Sequence, residues 1–165
     1  MVMWATVTPG ILVIAAWFAS QNPLPVVLGA ESRDAYLQRR LDYYPFYEVV
    51  NTQLPRDACV WLINMRRDTY HIDRPYFSDF RVEDHTFVQF VRASDSVEQL
   101  RGKVADAGIS HVLARIDVLL DPRISPVVDE SLPDDVNSGK MRITRDFLLS
   151  GKIIMENKKF VLLKI

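Results

Sequence analysis

The stretch "SDSVEQLRGKVADAGISHVLARID", Ser94 to Asp117, decides the fold, because it spells a helix, its end and a buried strand in succession. Asp95, with Glu98 three residues later, has the spacing of a capping box, in which side chains satisfy the free backbone amides of the first turn. Val97, Leu100 and Val104 then recur at helical spacing and turn one face inward. Gly108 ends the helix, and Ile109 can close a Schellman-type cap. "HVLARID", His111 to Asp117, follows as a buried strand.

Outward from this unit, strands and helices continue to alternate. Ala58 to Asn64 is an apolar strand that follows a turn at Leu54-Pro55-Arg56-Asp57. Before it, "ESRDAYLQRRLDYYPFYEVVNTQLP" reads as helix. Ser32 can cap it, and Tyr36, Leu37, Leu41 and Tyr44 form an apolar stripe. Pro45 suits the start of a second helical segment, along which Phe46, Val49, Val50 and Leu54 recur. On the C-terminal side, "LLDPRISPVVDESLPDDVNSG" is a proline-rich connection and reads as a long surface loop. Met141 to Ser150 is a short helix stopped by Gly151. "KIIMENKKFVLLKI" then makes a hairpin around Asn157-Lys158. The pattern predicts an α/β layered sandwich: a mostly parallel sheet, an antiparallel C-terminal hairpin at its edge, and an apolar N-terminal segment ahead of it.

That N-terminal segment carries no charge. The first ionisable side chain is Glu31, and "MVMWATVTPGILVIAAWFASQNPLPVVLG" precedes it. A bilayer-spanning helix needs about 20 mostly apolar residues, which Met1 to Ser20 can supply. Pro9-Gly10 would kink it, Gln21-Asn22-Pro23 would end it, and Trp17 would anchor it at the interface. A secretory signal fits poorly, since no Lys or Arg precedes the apolar core and no A-x-A-like site follows. The alternative is a buried strand or helix with "GILVIAAWFA" as its centre. The expected division is therefore an apolar segment, 1–28, and a globular domain, 29–165, with the start reading as cut from a longer polypeptide.

The 165 residues, 48% of them hydrophobic, suffice for one real core. Twenty basic and 21 acidic side chains leave a net charge of −1, which gives no electrostatic reason to expect nucleic acid. The single cysteine, Cys59, excludes an internal disulfide and a cysteine-based zinc site.

Candidate chemistry concentrates in "YHIDRPYFSDFRVEDH", Tyr70 to His85. His71, Asp73, Asp79, Asp84 and His85 are ligand types for zinc, manganese or iron, and His-x-Asp puts two side chains on one face of a strand. A free-standing metal-dependent hydrolase centred on His71, Asp73 and His85 is thus one reading. Against it, Arg74 and Arg81 are interleaved with the acids, and no second histidine pair sits at a ligand spacing. The plainer reading is a strand and its turns carrying paired charge. Arg66, Arg67, Arg74, Arg81 and Arg92 could face a phosphate or anionic headgroups, or simply solvent. The turn "NMRRDTY" after the first strand has no glycine for a pyrophosphate, and neither a P-loop nor a G-x-S-x-G elbow occurs. "MENK", Met155 to Lys158, falls in the hairpin turn, where solvated charge is the default. No cofactor is implied, and a protein- or glycan-binding module using the Pro122–Gly139 loop is a further alternative.

Taken together, Gly29-Ala30-Glu31-Ser32, Tyr36-Leu37, Asp73-Arg74-Pro75-Tyr76 and Gly108-Ile109-Ser110-His111-Val112-Leu113 carry a family resemblance. Most of residues 22–120 resembles the tail of bacterial GT-C class membrane glycosyltransferases, similar to dolichyl-phosphate-mannose–protein mannosyltransferases. The resemblance implies a domain on the extracytoplasmic side of the cell membrane, carried by a multi-spanning transferase that uses polyprenyl-phosphate sugars. It implies no catalytic residue here, because the family's catalytic acid lies on an early loop absent from this sequence. Membrane contact through the N-terminal segment and access for a lipid-linked sugar or glycan acceptor are the expected partnerships. Asp73, Arg74 and Tyr76, with Arg66 and Arg67, become a structural motif with a substrate-side face. Arg33, Arg39 and Arg40 just after the apolar segment would by themselves favour a cytoplasmic domain, but upstream loops of a multi-span parent would largely set the orientation.

Overall fold

The computed structural model describes residues 2–65, 69–79 and 86–165, with side chains from Pro9 onward. The chain divides into two compact units, Met1–Pro45 and Phe46–Ile165.

The first unit is helical. Helix α1 (Val2–Gln21) contains Pro9 and no charged residue. It ends at Asn22, whose φ of 45° is left-handed, a conformation that Asn tolerates better than most side chains. A single turn, α2 (Leu24–Val27), and the charged helix α3 (Arg33–Arg40) follow. Ser32 caps α3 as the sequence suggests, accepting from the Ala35 amide at 3.1 Å. Arg39 reaches back to Glu31 through two hydrogen bonds, 3.0 and 3.3 Å.

Ile11, Leu12, Val13, Ile14, Trp17 and Phe18 lie on α1 and are exposed. Among the described residues no helix is long and apolar enough to cross a membrane.

Helix α4 (Tyr44–Gln53) leads into the second unit. Its strands and helices run β1 (Val60–Ile63), a 3₁₀ turn at Thr69–His71, β2 (Tyr76–Asp79), α5 (Thr86–Arg92), α6 (Val97–Asp106) and β3 (His111–Arg115). They continue with α7 (Ile116–Leu119), α8 (Asp134–Ser150), β4 (Lys152–Glu156) and β5 (Phe160–Lys164). The sheet order is β2-β1-β3-β5-β4. Val60 pairs with Tyr76 on one side and His111 on the other, both in parallel register. β3 then pairs antiparallel with β5, and β5 antiparallel with β4. The sheet is therefore an open mixed one, half parallel by pairing. The hairpin supplies two of the five strands because β5 docks directly on the central strand β3.

Alternation along the strands sorts two buried faces. Trp61, Ile63, Val112, Ala114, Val161 and Leu163 join Phe87, Leu100, Val104 and Phe147 of α5, α6 and α8 in one core. Trp61 is the hub, with ring centroids 5.6 Å from Phe87, 5.7 Å from Phe90 and 6.1 Å from Phe77. On the opposite face Val60, Leu62, Leu113 and Leu162 are fully buried, and Phe46 of α4 packs its ring 5.7 Å from Phe160.

The decisive stretch differs from expectation by one residue at its start. Ser96 caps α6, accepting from the Gln99 amide at 3.3 Å, while the Gln99 side chain accepts from the Asp95 amide at 2.9 Å. A hydroxyl one residue further on wins because the helix begins at Val97. The other end is the Schellman arrangement: Ile109 N–H to Val104 O, 3.2 Å, and Gly108 N–H to Ala105 O, 2.9 Å, with Gly108 at φ 75°. The strand stops at Arg115, two residues early, and the chain turns into α7. Helix α8 begins at Asp134 and not at Met141, so "DDVNSG" is helical. Asp134 and Asp135 in its first turn complement the exposed amides there, a local effect that the loop-like composition masked.

Candidate functional site

The residues singled out by sequence split into three groups. Arg66, Arg67, Arg81, Asp84 and His85 lie outside the described residues. His71, Asp73, Arg74, Tyr76 and Asp79 fall between the 3₁₀ turn and β2. Arg92 is elsewhere, on α5, paired with Asp129 at 3.0 Å.

His71 and Asp73 do not share a strand face. His71 ends the 3₁₀ turn and is buried, whereas Asp73 lies beyond it and is exposed. Strand β2 starts only at Tyr76, since Pro75 follows the bend at Arg74. Asp79 is buried and bonds to the Phe87 amide in the first turn of α5, at 2.5 Å. One oxygen of its carboxylate thereby helps hold that helix against the sheet. Among the described residues no group of three or more His, Cys, Asp or Glu side chains could hold a metal ion.

What the structure builds here is a clamp on the end of α4. The Arg74 guanidinium donates to the Leu54 carbonyl at 3.2 Å from both Nε and a terminal nitrogen, and to the Asn51 carbonyl at 2.5 Å. These are carbonyls that a terminating helix leaves without intrahelical partners, and the positive charge sits favourably at the negative end of the helix dipole. Asn51 completes the clamp in the other direction. Its amide donates to the His71 carbonyl at 2.7 Å, and its side-chain oxygen accepts from the Asp73 amide at 2.8 Å. One asparagine and one arginine thus tie two segments twenty residues apart. Sequence reading missed Asn51, because nothing local distinguishes it from any polar residue near a helix end.

With Arg74 facing inward, the outward face is aromatic. Tyr70 is 76% exposed, Tyr76 44% and Phe77 36%. The Tyr76 hydroxyl lies 3.0 Å from the Thr69 hydroxyl, and the Tyr70 and His71 rings are 4.2 Å apart. Tyr47, beneath this region, has its phenol pushed up by burial and secondarily by Tyr76, which keeps it neutral. The arrangement offers flat rings, hydroxyls and the Asp73 carboxylate at the surface.

Compared with known proteins, the chain matches no protein-family model and no curated protein.

Proposed function

We propose that this chain is a non-catalytic accessory domain of a polyprenyl-phosphate-sugar-dependent membrane glycosyltransferase, held at the extracytoplasmic face of the membrane by its N-terminal segment. The observation that carries the membrane part is α1. Its exposed residues Ile11, Leu12, Val13, Ile14 and Trp17 cover every side of the helix, and a helix apolar all round suits lipid better than one protein groove. The transferase part rests on the likeness of Gly29–Ser32, Asp73–Tyr76 and Gly108–Leu113 to the tail domains of that class. A passive role is supported by Arg74, whose guanidinium donates to backbone carbonyls at the end of α4. The exposed Tyr70, Asp73 and Tyr76 are the side chains available to help a glycan or lipid-linked acceptor approach.

Co-flotation of the whole chain with phosphatidylcholine vesicles tests the first half. The wild type should float, and Leu12→Lys with Ile14→Lys should stay behind. Flotation unchanged by those two charges would overturn membrane attachment through α1. Incubation with a polyprenyl-phosphate sugar and an acceptor tests the second half: sugar transfer by this chain alone would overturn a non-catalytic role.

A further inference from the structure

The long proline-rich connection is not a loose loop. Ser125 donates to the Leu119 carbonyl at 2.7 Å and accepts from the Val127 amide at 3.3 Å, and Val127 is buried. Asn137 on α8 uses its whole amide on the same segment. It accepts from the Asp129 amide at 3.0 Å and donates to the carbonyls of Asp129, 2.9 Å, and Leu132, 3.2 Å. The Arg92–Asp129 pair fastens the far side. Between this braced segment and α8 lies an open cavity of about 680 Å³, within the range of small-molecule sites.

Its lining has a direction. Leu120, Val128 and Met141 give it an apolar floor, and Ser138, Arg142 and Arg145 lie on its helical wall. Arg142 and Arg145 are one turn apart, so their guanidiniums can converge on one group. Among the described residues no carboxylate pairs with Arg142, and Arg145 reaches only its chain neighbour Asp146, at 3.5 Å. Asp134, the acidic residue in the lining, sits two helical turns before Arg142, about 12 Å along the axis. An anion at the arginine end is therefore well separated from it.

We propose that this cavity binds a small organic oxyanion, a carboxylate or phosphate ester on a compact apolar body. The head lies between Arg142 and Arg145, and the body lies over Leu120, Val128 and Met141. Planar guanidiniums match the paired oxygens of such heads, while the apolar floor favours them over inorganic ions. The site stands apart from the membrane reading and survives if that reading fails.

The test follows the Met141 methyl resonance in whole chain labelled at methionine methyls, in detergent solution or, where the chain stays soluble without it, in buffer alone. 3-Phenylpropionate or phenyl phosphate should shift it saturably, with Met65 and Met155 unmoved. R142Q/R145Q should weaken binding roughly tenfold, as expected for losing charge-assisted hydrogen bonds, and leave those control resonances in place. Neutral 3-phenylpropanol should bind as weakly to the wild type as the anions bind to the double variant. Nanodiscs doped with phosphatidic acid, without added probe, separate the sources: an arginine-dependent shift there makes a lipid headgroup the natural oxyanion. Equal binding of the alcohol, indifference to the double substitution, or no shift with any anion would overturn the proposal.

Discussion

Replacing Arg74 by alanine is the most informative single change. It removes the donor to two carbonyls at the end of α4, Asn51 and Leu54, and a cation from a helix C-terminus. Hydrogen bonds from charged groups are worth about 1.5–3 kcal/mol each, and the dipole contributes about 0.3–1 kcal/mol. Arg74 is only partly buried, so water can reach the deserted carbonyls, and a total loss of about 2–3 kcal/mol follows. For a chain of this size that lowers Tm by roughly 5–10 °C. Arg74→Lys should recover part of it, because an ammonium keeps the charge but cannot fork to both carbonyls. Asp73→Ala should stay within about 0.5 kcal/mol of the wild type, since its backbone amide makes the contact to Asn51 and its carboxylate is exposed. The assay is differential scanning calorimetry of each variant in the same medium. A Tm for Arg74→Ala indistinguishable from the wild type would refute the clamp and return Arg74 to the surface-facing residues. The opposite ranking, with Asp73→Ala the more damaging, would do the same.

Other outcomes follow from the same structure. Gly151→Ala should destabilise strongly, because a Cβ there would lie 2.6 Å from Leu163 Cδ1 and 2.8 Å from the Lys164 carbonyl, whereas Gly139→Ala inside α8 meets nothing and should stabilise by about 0.4–1 kcal/mol in the same melts. Trp61→Ala, which empties the centre of the aromatic cluster, should cost about 3–5 kcal/mol by urea titration. Burial, and secondarily Lys164, lowers the His111 pKa below its ordinary 6.5. The unfolded ring then binds its proton more readily than the folded one, so stability is complete above pH 6.5 and declines as pH falls through that value. His111→Gln should flatten this slope, and an unchanged slope would assign it to another group. Metal analysis of the purified chain should find no stoichiometric zinc or manganese, and metal lost on His71→Ala would contradict the structural role given to that turn.

Much of this fold is written locally. Gly108 at a helix end, Ser32 before a charged helix and Asn157 in a tight hairpin each act within four residues. In the hairpin the Asn157 side chain accepts from the Lys159 and Phe160 amides at 2.8 Å. Such signals survive in sequence because capping and turn energies depend on neighbours along the chain. Where two local readings compete, as for Asp95 against Ser96 or the loop-like "DDVNSG", composition alone misplaces the boundary.

By itself the sequence determined the α/β character, the places of several helices and strands with their caps at Ser32 and Gly108, the uncharged opening thirty residues and the lack of a familiar catalytic motif in its text. Only the tertiary structure decided that β5 docks on β3 and makes the sheet mixed, and that Arg74 turns inward to a helix end twenty residues earlier. It alone braced a proline-rich segment into the wall of a cavity. The reason is distance along the chain. Strand order, a long-range clamp and a cavity depend on which surfaces bury one another, and residues far apart in sequence leave no periodic trace of that choice.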